Sequence, residues 1–311
     1  HPLIRTDTIK ILSYTKDESI IPELLKLGKE SEEILCTVIE ALGIIGSQES
    51  IPILIDKLDD NSLFVRVASA KALSRLGVKE AKPKLMKMIK GEGQNVQKIA
   101  LLAYSHLTDQ EDIPFLREML NSINLDFKST SIRTFARLLK EQFIPELDAI
   151  LKDRNRYTRI SAIDALICIV KENQRECPSN QFLISIAKSK LYSMLQDRSK
   201  EVRVTAFRAL MEFCSWEDIP LLMSTLESDI PDIKVLSAES LARLGYQEGF
   251  TKLRAMLKDS GRNRQLALKS LSNLGDLTII PDLIRMIEDE DPIIRKESAH
   301  AIGILGSEAE I

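Results

Sequence analysis

Histidine is nearly absent from this chain: the 311 residues contain three, His1, His106 and His300. Metal-dependent and nucleophilic catalysis draw on clustered histidine, cysteine and carboxylate side chains. Neither His106 nor His300 sits in an H-E-x-x-H or any zinc-ligand spacing, so no metal ligand or catalytic residue is expected. Cysteine is scarce as well. Cys36, Cys168, Cys177 and Cys214 lie far apart without a C-x-x-C, which excludes a dense disulfide framework and reads as thiols of a reducing, cytoplasmic compartment. Aromatic residues make up 5%, too few for the stacking platforms of a nucleic-acid binder. There is no P-loop and no G-x-G-x-x-G, so no nucleotide cofactor is expected. No stretch approaches the ~18 uninterrupted apolar residues of a membrane span. Nor is there an excess of one charge: 43 basic and 46 acidic residues leave a net charge of −3, without the basic surplus usual in a dedicated nucleic-acid binder.

What is abundant is aliphatic and helix-forming. Hydrophobic residues reach 44%, carried by Leu, Ile, Ala and Val, a composition that favours helices. They also repeat. Anchored on Arg295, the pattern recurs at Arg5, Leu35, Arg66, Gln97, Lys128, Arg159, Arg203, Lys234 and Arg264, in steps of 30, 31, 31, 31, 31, 44, 31, 30 and 31 residues. Eight of the ten anchors are basic, and seven residues after each stands a large apolar residue, as in Leu42, Leu73, Phe135 and Leu241. Three residues after most of them stands a small one, such as Ser69, Ala100 or Ala162. Large and small residues at this spacing predict a helix packed closely against neighbours. Gly46, Gly77, Gly245, Gly275 and Gly306 follow, where a left-handed C-cap is wanted. Seventeen residues past the anchor come Pro22, Pro52, Pro83, Pro114, Pro145, Pro220 and Pro281, each with Leu two residues on, the opening of a second helix. Each unit therefore reads as helix A, a turn and helix B, with Asp before the next anchor (Asp60, Asp153, Asp197, Asp259, Asp291).

Stretches such as DDNSLFVRVASAKALSRLG with PKLMKMI, and DEDPIIRKESAHAIGILG, resemble the HEAT repeat, in particular the short bacterial form named after phycobilisome lyases. The resemblance covers essentially the whole chain. It implies an all-α fold, a right-handed α-solenoid of about ten antiparallel helix pairs over residues 1–311. It also implies that the anchors Arg5, Arg66, Arg159, Arg203, Arg264 and Arg295 are structural, tying adjacent turns together by charge-assisted hydrogen bonds. Deoxyhypusine hydroxylase, a HEAT-repeat enzyme, uses repeated His-Glu pairs for iron; none exists here, so the resemblance brings no metal or cofactor with it.

Departures from the repeat carry the candidate sites. The run VKEAKPKLMKMIK gathers Lys79, Lys82, Lys84, Lys87 and Lys90, with Lys84 and Lys87 on one helix face. KDRNRYTR adds Lys152, Arg154, Arg156 and Arg159, and both runs suit an acidic partner, an anionic membrane surface or nucleic acid if they are not ordinary solvated faces. The acidic run Glu288–Asp291 sits at a turn and suits either a cation or plain solvation. About 13 extra residues fall near 171–188, between Cys168 and Ser189 and past Cys177. They contain Phe182 and Ile184, with helix B restarting near Ser189. They form either a functional loop or a lengthened helix. The residue after the proline is apolar at Ile53, Phe115 and Leu221 but charged in most repeats, which makes those three candidate partner contacts or core.

The function expected from this is a non-catalytic protein–protein interaction scaffold with a protein or peptide partner. A phycobilin-lyase-like enzyme subunit or chaperone, a nucleic-acid-binding repeat protein and a regulatory domain appended to a membrane protein are the alternatives. Residues His1–Arg5 align with Asp291–Arg295, the entry to a helix A, and no helix B follows Gly306. Both observations predict further residues on either side, other domains of the same polypeptide among them, with Ile302 and Leu305 lacking their own partner helix.

Overall fold

Two packing requirements recur every 31 residues, and the structure, a computed structural model, meets both with short helices. It describes residues 2–91, 93–176 and 180–308, with only the backbone of 2, 3, 307 and 308. Two compact units, residues 1–169 and 170–311, divide the chain inside the helix Arg156–Glu176. Among the described residues all regular structure is helical.

In the first unit the first helices of successive repeats are Pro2–Ser13, Glu32–Ile45, Leu63–Leu76, Gln94–Leu107, Leu125–Leu139 and the start of Arg156–Glu176. Their partners are Ile21–Leu27, Ser50–Asp56, Lys82–Gly91, Ile113–Leu120 and Ile144–Ile150. The second unit continues with first helices Lys200–Met211, Pro231–Arg243, Arg262–Asn273 and Pro292–Glu308, and second helices Gln181–Met194, Ile219–Thr225, Gln247–Met256 and Ile280–Met286. Consecutive first helices pack side by side from Pro2–Ser13 to Leu125–Leu139 and from Lys200–Met211 to Pro292–Glu308, and most second helices pack on the first helix that follows them.

The boundaries follow from named residues. Ser31 and Ser62 cap the second and third first helices through the N–H groups of Ile34 and Val65, satisfying donors a helix cannot pair internally. Gly77 closes the third in the left-handed region at φ 72°, where a Cβ would strain the backbone. The prolines fall in the first turn of the second helices, as expected. Repeat eight has Thr251 in that place. There Gly249 lets the helix approach so closely that an added Cβ would lie 2.4 Å from the Ala238 carbonyl oxygen and 2.5 Å from the Ala242 nitrogen.

The core is built of three columns. The small residues three after the anchor, from Val38 to Ser298, are fully buried in nine repeats, and so are Leu54, Leu85, Leu116, Leu147, Leu222, Leu253 and Leu283, two after each proline or its replacement. The large residues seven after the anchor are buried from Leu42 to Leu271, but Leu12, on the first helix, is 39% exposed. Each buried leucine contributes about 1.5–3 kcal/mol by leaving water.

Two expectations are corrected. Gly306 is no cap: it lies inside Pro292–Glu308 with helical φ, because glycine permits the left-handed turn without compelling it. Leu305 is fully buried in a cluster with Leu283 and Met286 of the preceding second helix, and Ile302 packs half-buried against the same cluster. The second helix after the insertion starts at Gln181, not near Ser189, because the Asn180 side chain accepts from the Leu183 N–H and caps it. With no glycine to stop it, the preceding helix runs to 21 residues and ends at Glu176. The extra residues on either side of 177–179 are thus helical; Cys177 itself lies outside the described residues.

Leu73→Ala is expected to cost about 2–5 kcal/mol, from lost transfer energy plus the cavity, and Leu12→Ala clearly less. Hydrogen exchange read by mass spectrometry should show the Leu73 loss concentrated in the repeats touching it, as nearest-neighbour stabilisation requires. Equal losses for the two variants would contradict the column assignment.

Candidate functional site

The basic anchors face inward to the turn that precedes them. Arg66 Nη1 donates to the carbonyls of Asp60 (2.8 Å) and Asn61 (3.0 Å), Arg159 to those of Asp153 (2.8 Å) and Arg154 (3.1 Å), and Arg295 to those of Asp289 (2.8 Å) and Glu290 (3.0 Å). Arg203 donates to the Asp197 carbonyl at 2.8 Å. Arg5 and Arg264 reach forward to the next turn, pairing with Glu30 and with Asp289 (2.6 Å). Asp289 and Asp291 of the acidic run accept from the N–H groups of Asp291 and Ile293, which closes the turn between helices.

The lysine run is likewise engaged within its own unit. Lys84 pairs with Asp59 at 2.7 Å and donates to the Ile55 carbonyl, Lys87 reaches Asp59 at 3.6 Å, and Lys79 pairs with Asp109 at 3.0 Å. Lys90 lies over the Phe115 ring at 5.7 Å. Lys82 pairs with Asp112 at 2.6 Å, and the buried Tyr104 hydroxyl donates to the same carboxylate at 2.5 Å. The second unit repeats this device: Lys188 pairs with Asp218 at 2.6 Å, and Tyr192 donates to Asp218 at 2.7 Å. Five cations of the run are therefore engaged by neighbouring repeats.

Of the residues after the prolines, Phe115 is half-buried and meets Tyr104 edge-on at 5.1 Å. Leu221 is half-buried against the cluster of Phe207, Leu222, Ile233 and Leu241, and Ile53 is half-buried. Phe182 stands 76% exposed, while Ile184 lines a groove.

Two grooves occupy equivalent places, each between a second helix and the following A–B turn. In the first unit a groove of about 790 Å³ is lined by Ile51, Pro52 and Ile55 from one repeat and by Leu76, Val78 and Glu80 from the next, with Gln48 at its edge. In the second unit a groove of about 730 Å³ is lined by Gln174, Gln181, Ile184 and Ser185 and by the turn Phe213–Glu217. Lys82 and Lys188 hold matching places in the repeat, so residues 181–187 add about two turns to the front of that second helix. Those turns wall the groove beside Trp216, which is 64% exposed and 5.8 Å from the Tyr246 ring.

A family model for HEAT repeats matches residues 1–73, 54–127, 189–271 and 259–311. The chain belongs to the HEAT-repeat family. Its fold is an all-α solenoid. Karyopherin Kap121p, solved bound to Nup53p, is similar over 93% of this chain and 37% of its own length, at 13% identity and TM-score 0.54. YibA of E. coli aligns over 89% of this chain and 97% of its own, at 16% identity and TM-score 0.49. The CpcE–CpcF complex of Nostoc phycocyanin lyase aligns over 84% and 95%, at 16% identity and TM-score 0.37. At these identities the likeness is one of fold. No curated protein matches the chain in sequence.

Trp216, Tyr246, Gln174 and Gln181 are the residues that HEAT-repeat reasoning missed. The signal for them was the single tryptophan, at a turn position held by Gln48, Lys79 and Gln110 in other repeats. Among the described residues no group of three His, Cys, Asp or Glu converges as a metal site, and no helix is long and apolar enough to cross a membrane.

The buried pairs set a pH dependence. Burial pushes the Asp218 carboxyl up, but Lys188, Tyr192 and the Ser215 N–H outweigh it and hold the group below the usual carboxylate range. Asp276 is held low by Arg254 and Thr278 against burial in the same way. Lys82 is opposed by burial, yet Asp112 and Asp109 raise it. The depressed carboxylates stabilise the fold above their unfolded value of ~3.9, and that stability is lost as pH falls through their folded values. The lysine contribution is complete below ~10.4 and is lost as pH rises through its folded value. Thermal melts should show a broad plateau with an acid limb below about pH 4. Asp218→Asn should flatten that limb and cost about 2–4 kcal/mol, because Lys188 keeps its burial without a counter-charge; an unaltered limb would exclude Asp218 as its source. Arg66→Ala should cost about 1.5–3 kcal/mol through the two lost charge-assisted bonds, with faster amide exchange at residues 60–62 as its local sign.

Proposed function

We propose that this HEAT-repeat chain is a non-catalytic scaffold that holds a protein or peptide segment in the grooves between its second helices and the following turns. One observation carries the reading. The repeat commits its anchors, its lysine run and its buried columns to internal packing, yet leaves the same groove open in both units. A groove with an apolar wall, Ile51, Pro52 and Ile55 in one unit and Ile184, Phe213 and Trp216 in the other, and with amide side chains in its lining suits a polypeptide, whose backbone takes up amide hydrogen bonds while its side chains meet the apolar wall. A protein of this fold, Kap121p, is known bound to a protein, Nup53p, which is compatible with such use.

The test exploits exposed residues at the rims. Gln48→Arg in the first groove and Gln181→Arg in the second fill space without touching the core. Partners captured on the immobilised intact chain should be lost about tenfold more readily, a difference of about 1.4 kcal/mol, from at least one variant. Circular dichroism should stay unchanged. Retention equal to the parent in both variants and in their combination would remove the grooves as binding elements.

A further inference from the structure

Resting on the scaffold reading above, we infer that the second-unit groove takes an extended peptide through an arginine side chain laid on Trp216, with a neighbouring aliphatic side chain seated against Ile184. Trp216 is the only tryptophan of the chain and stands largely in solvent, braced on one side by Tyr246 at 58° between ring planes. An exposed indole held by a second ring is a ready platform for a flat guanidinium, which stacks on aromatic faces more readily than an ammonium does.

The charges around the platform fix the sign of the guest. Of the charged residues lining the groove, Lys188 is tied to Asp218 at 2.6 Å, and Glu212 is paired with Lys171 at 2.9 Å. Glu217, next to Trp216, lines the groove and is exposed. It sits in the first turn of a helical segment, where the helix dipole favours negative charge. The dipole accounts for an acid at this position, but not for a bare indole beside it. Together the ring and this carboxylate complement a cation that is also planar and weakly hydrated. The amides of Gln174 and Gln181 line the same groove, and each offers both a donor and an acceptor to an extended backbone. Ile184 and the half-buried Phe213 supply the apolar contact for the adjacent side chain. The insertion is what makes this site, because its two added turns carry Gln181, Ile184 and Ser185.

The lone tryptophan reports on its own site. The probe is an acetylated, amidated dodecapeptide of glycine and serine with one arginine and, two positions on, one leucine. Titrated into the intact chain, it should change Trp216 emission saturably. Glu217→Gln and Trp216→Ala, the latter read by polarisation of a labelled peptide, should each bind about tenfold more weakly. Glu118→Gln, an exposed change outside both grooves, should bind as the parent does, and circular dichroism should show all of these variants folded. A peptide with citrulline in place of arginine that binds equally well would overturn the cation assignment. So would a duplex or single-stranded oligonucleotide that outcompetes the peptide. If captured partners depend on Gln48 but are indifferent to Trp216, this inference falls while the scaffold reading stands. If they are indifferent to both grooves, the scaffold reading falls with it.

Discussion

A seven-residue helix has no stability of its own in water, since nucleation costs more than two turns of hydrogen bonds return. Five of the second helices in this chain are that short. What keeps them is contact on every inward side: a leucine two residues past the proline with no exposed surface, set between first helices that small side chains allow to come close. This dependence of each helix on its neighbours governs everything else. Residues that serve the stack cannot also serve a ligand, so function is left to what the columns do not use: turn edges, rims and the one place where the period breaks.

Electrostatics follow the same local rule. Lys79 and Lys82 meet the acids of the next turn, Lys84 and Lys87 meet Asp59 of the previous one, and the anchors meet turn carbonyls. A cluster that looks like a patch along the sequence is dispersed into pairs once the helices stack. Exposed pairs of this kind contribute little to stability individually. Their larger effect is on the field, for they leave isolated carboxylates such as Glu217 to set the local sign.

Much of the fold was legible because its signals are periodic. Proline at a helix start, glycine at a left-handed turn and leucine at a fixed offset act within one repeat, and a single sequence displays all three. The groove was less legible, for two physical reasons. The partners of Lys84 and Lys87 depend on which residues face each other across a repeat boundary, which spacing alone does not give. The insertion was ambiguous because its aliphatic content suits a loop or a helix equally; the outcome turned on Asn180 as a cap and on the lack of a glycine after Cys168. Phe115 and Leu221 stand in a column that is otherwise charged, and each is half-buried against a core cluster.

The reach of the two kinds of polar tie has a bearing on how such a chain lengthens or shortens. Arg66, Arg159 and Arg295 close turns five and six residues behind them, so a duplicated segment carries its own turn closure wherever it lands. The Lys82–Asp112 and Lys188–Asp218 ties span 30 residues and join different repeats. Splicing at an arginine-closed turn therefore leaves that turn's own closure intact, whereas splicing across a lysine–aspartate tie strands a half-buried charge. Seams in this array are unequal, and copying or loss of repeats is expected to respect the lysine ties.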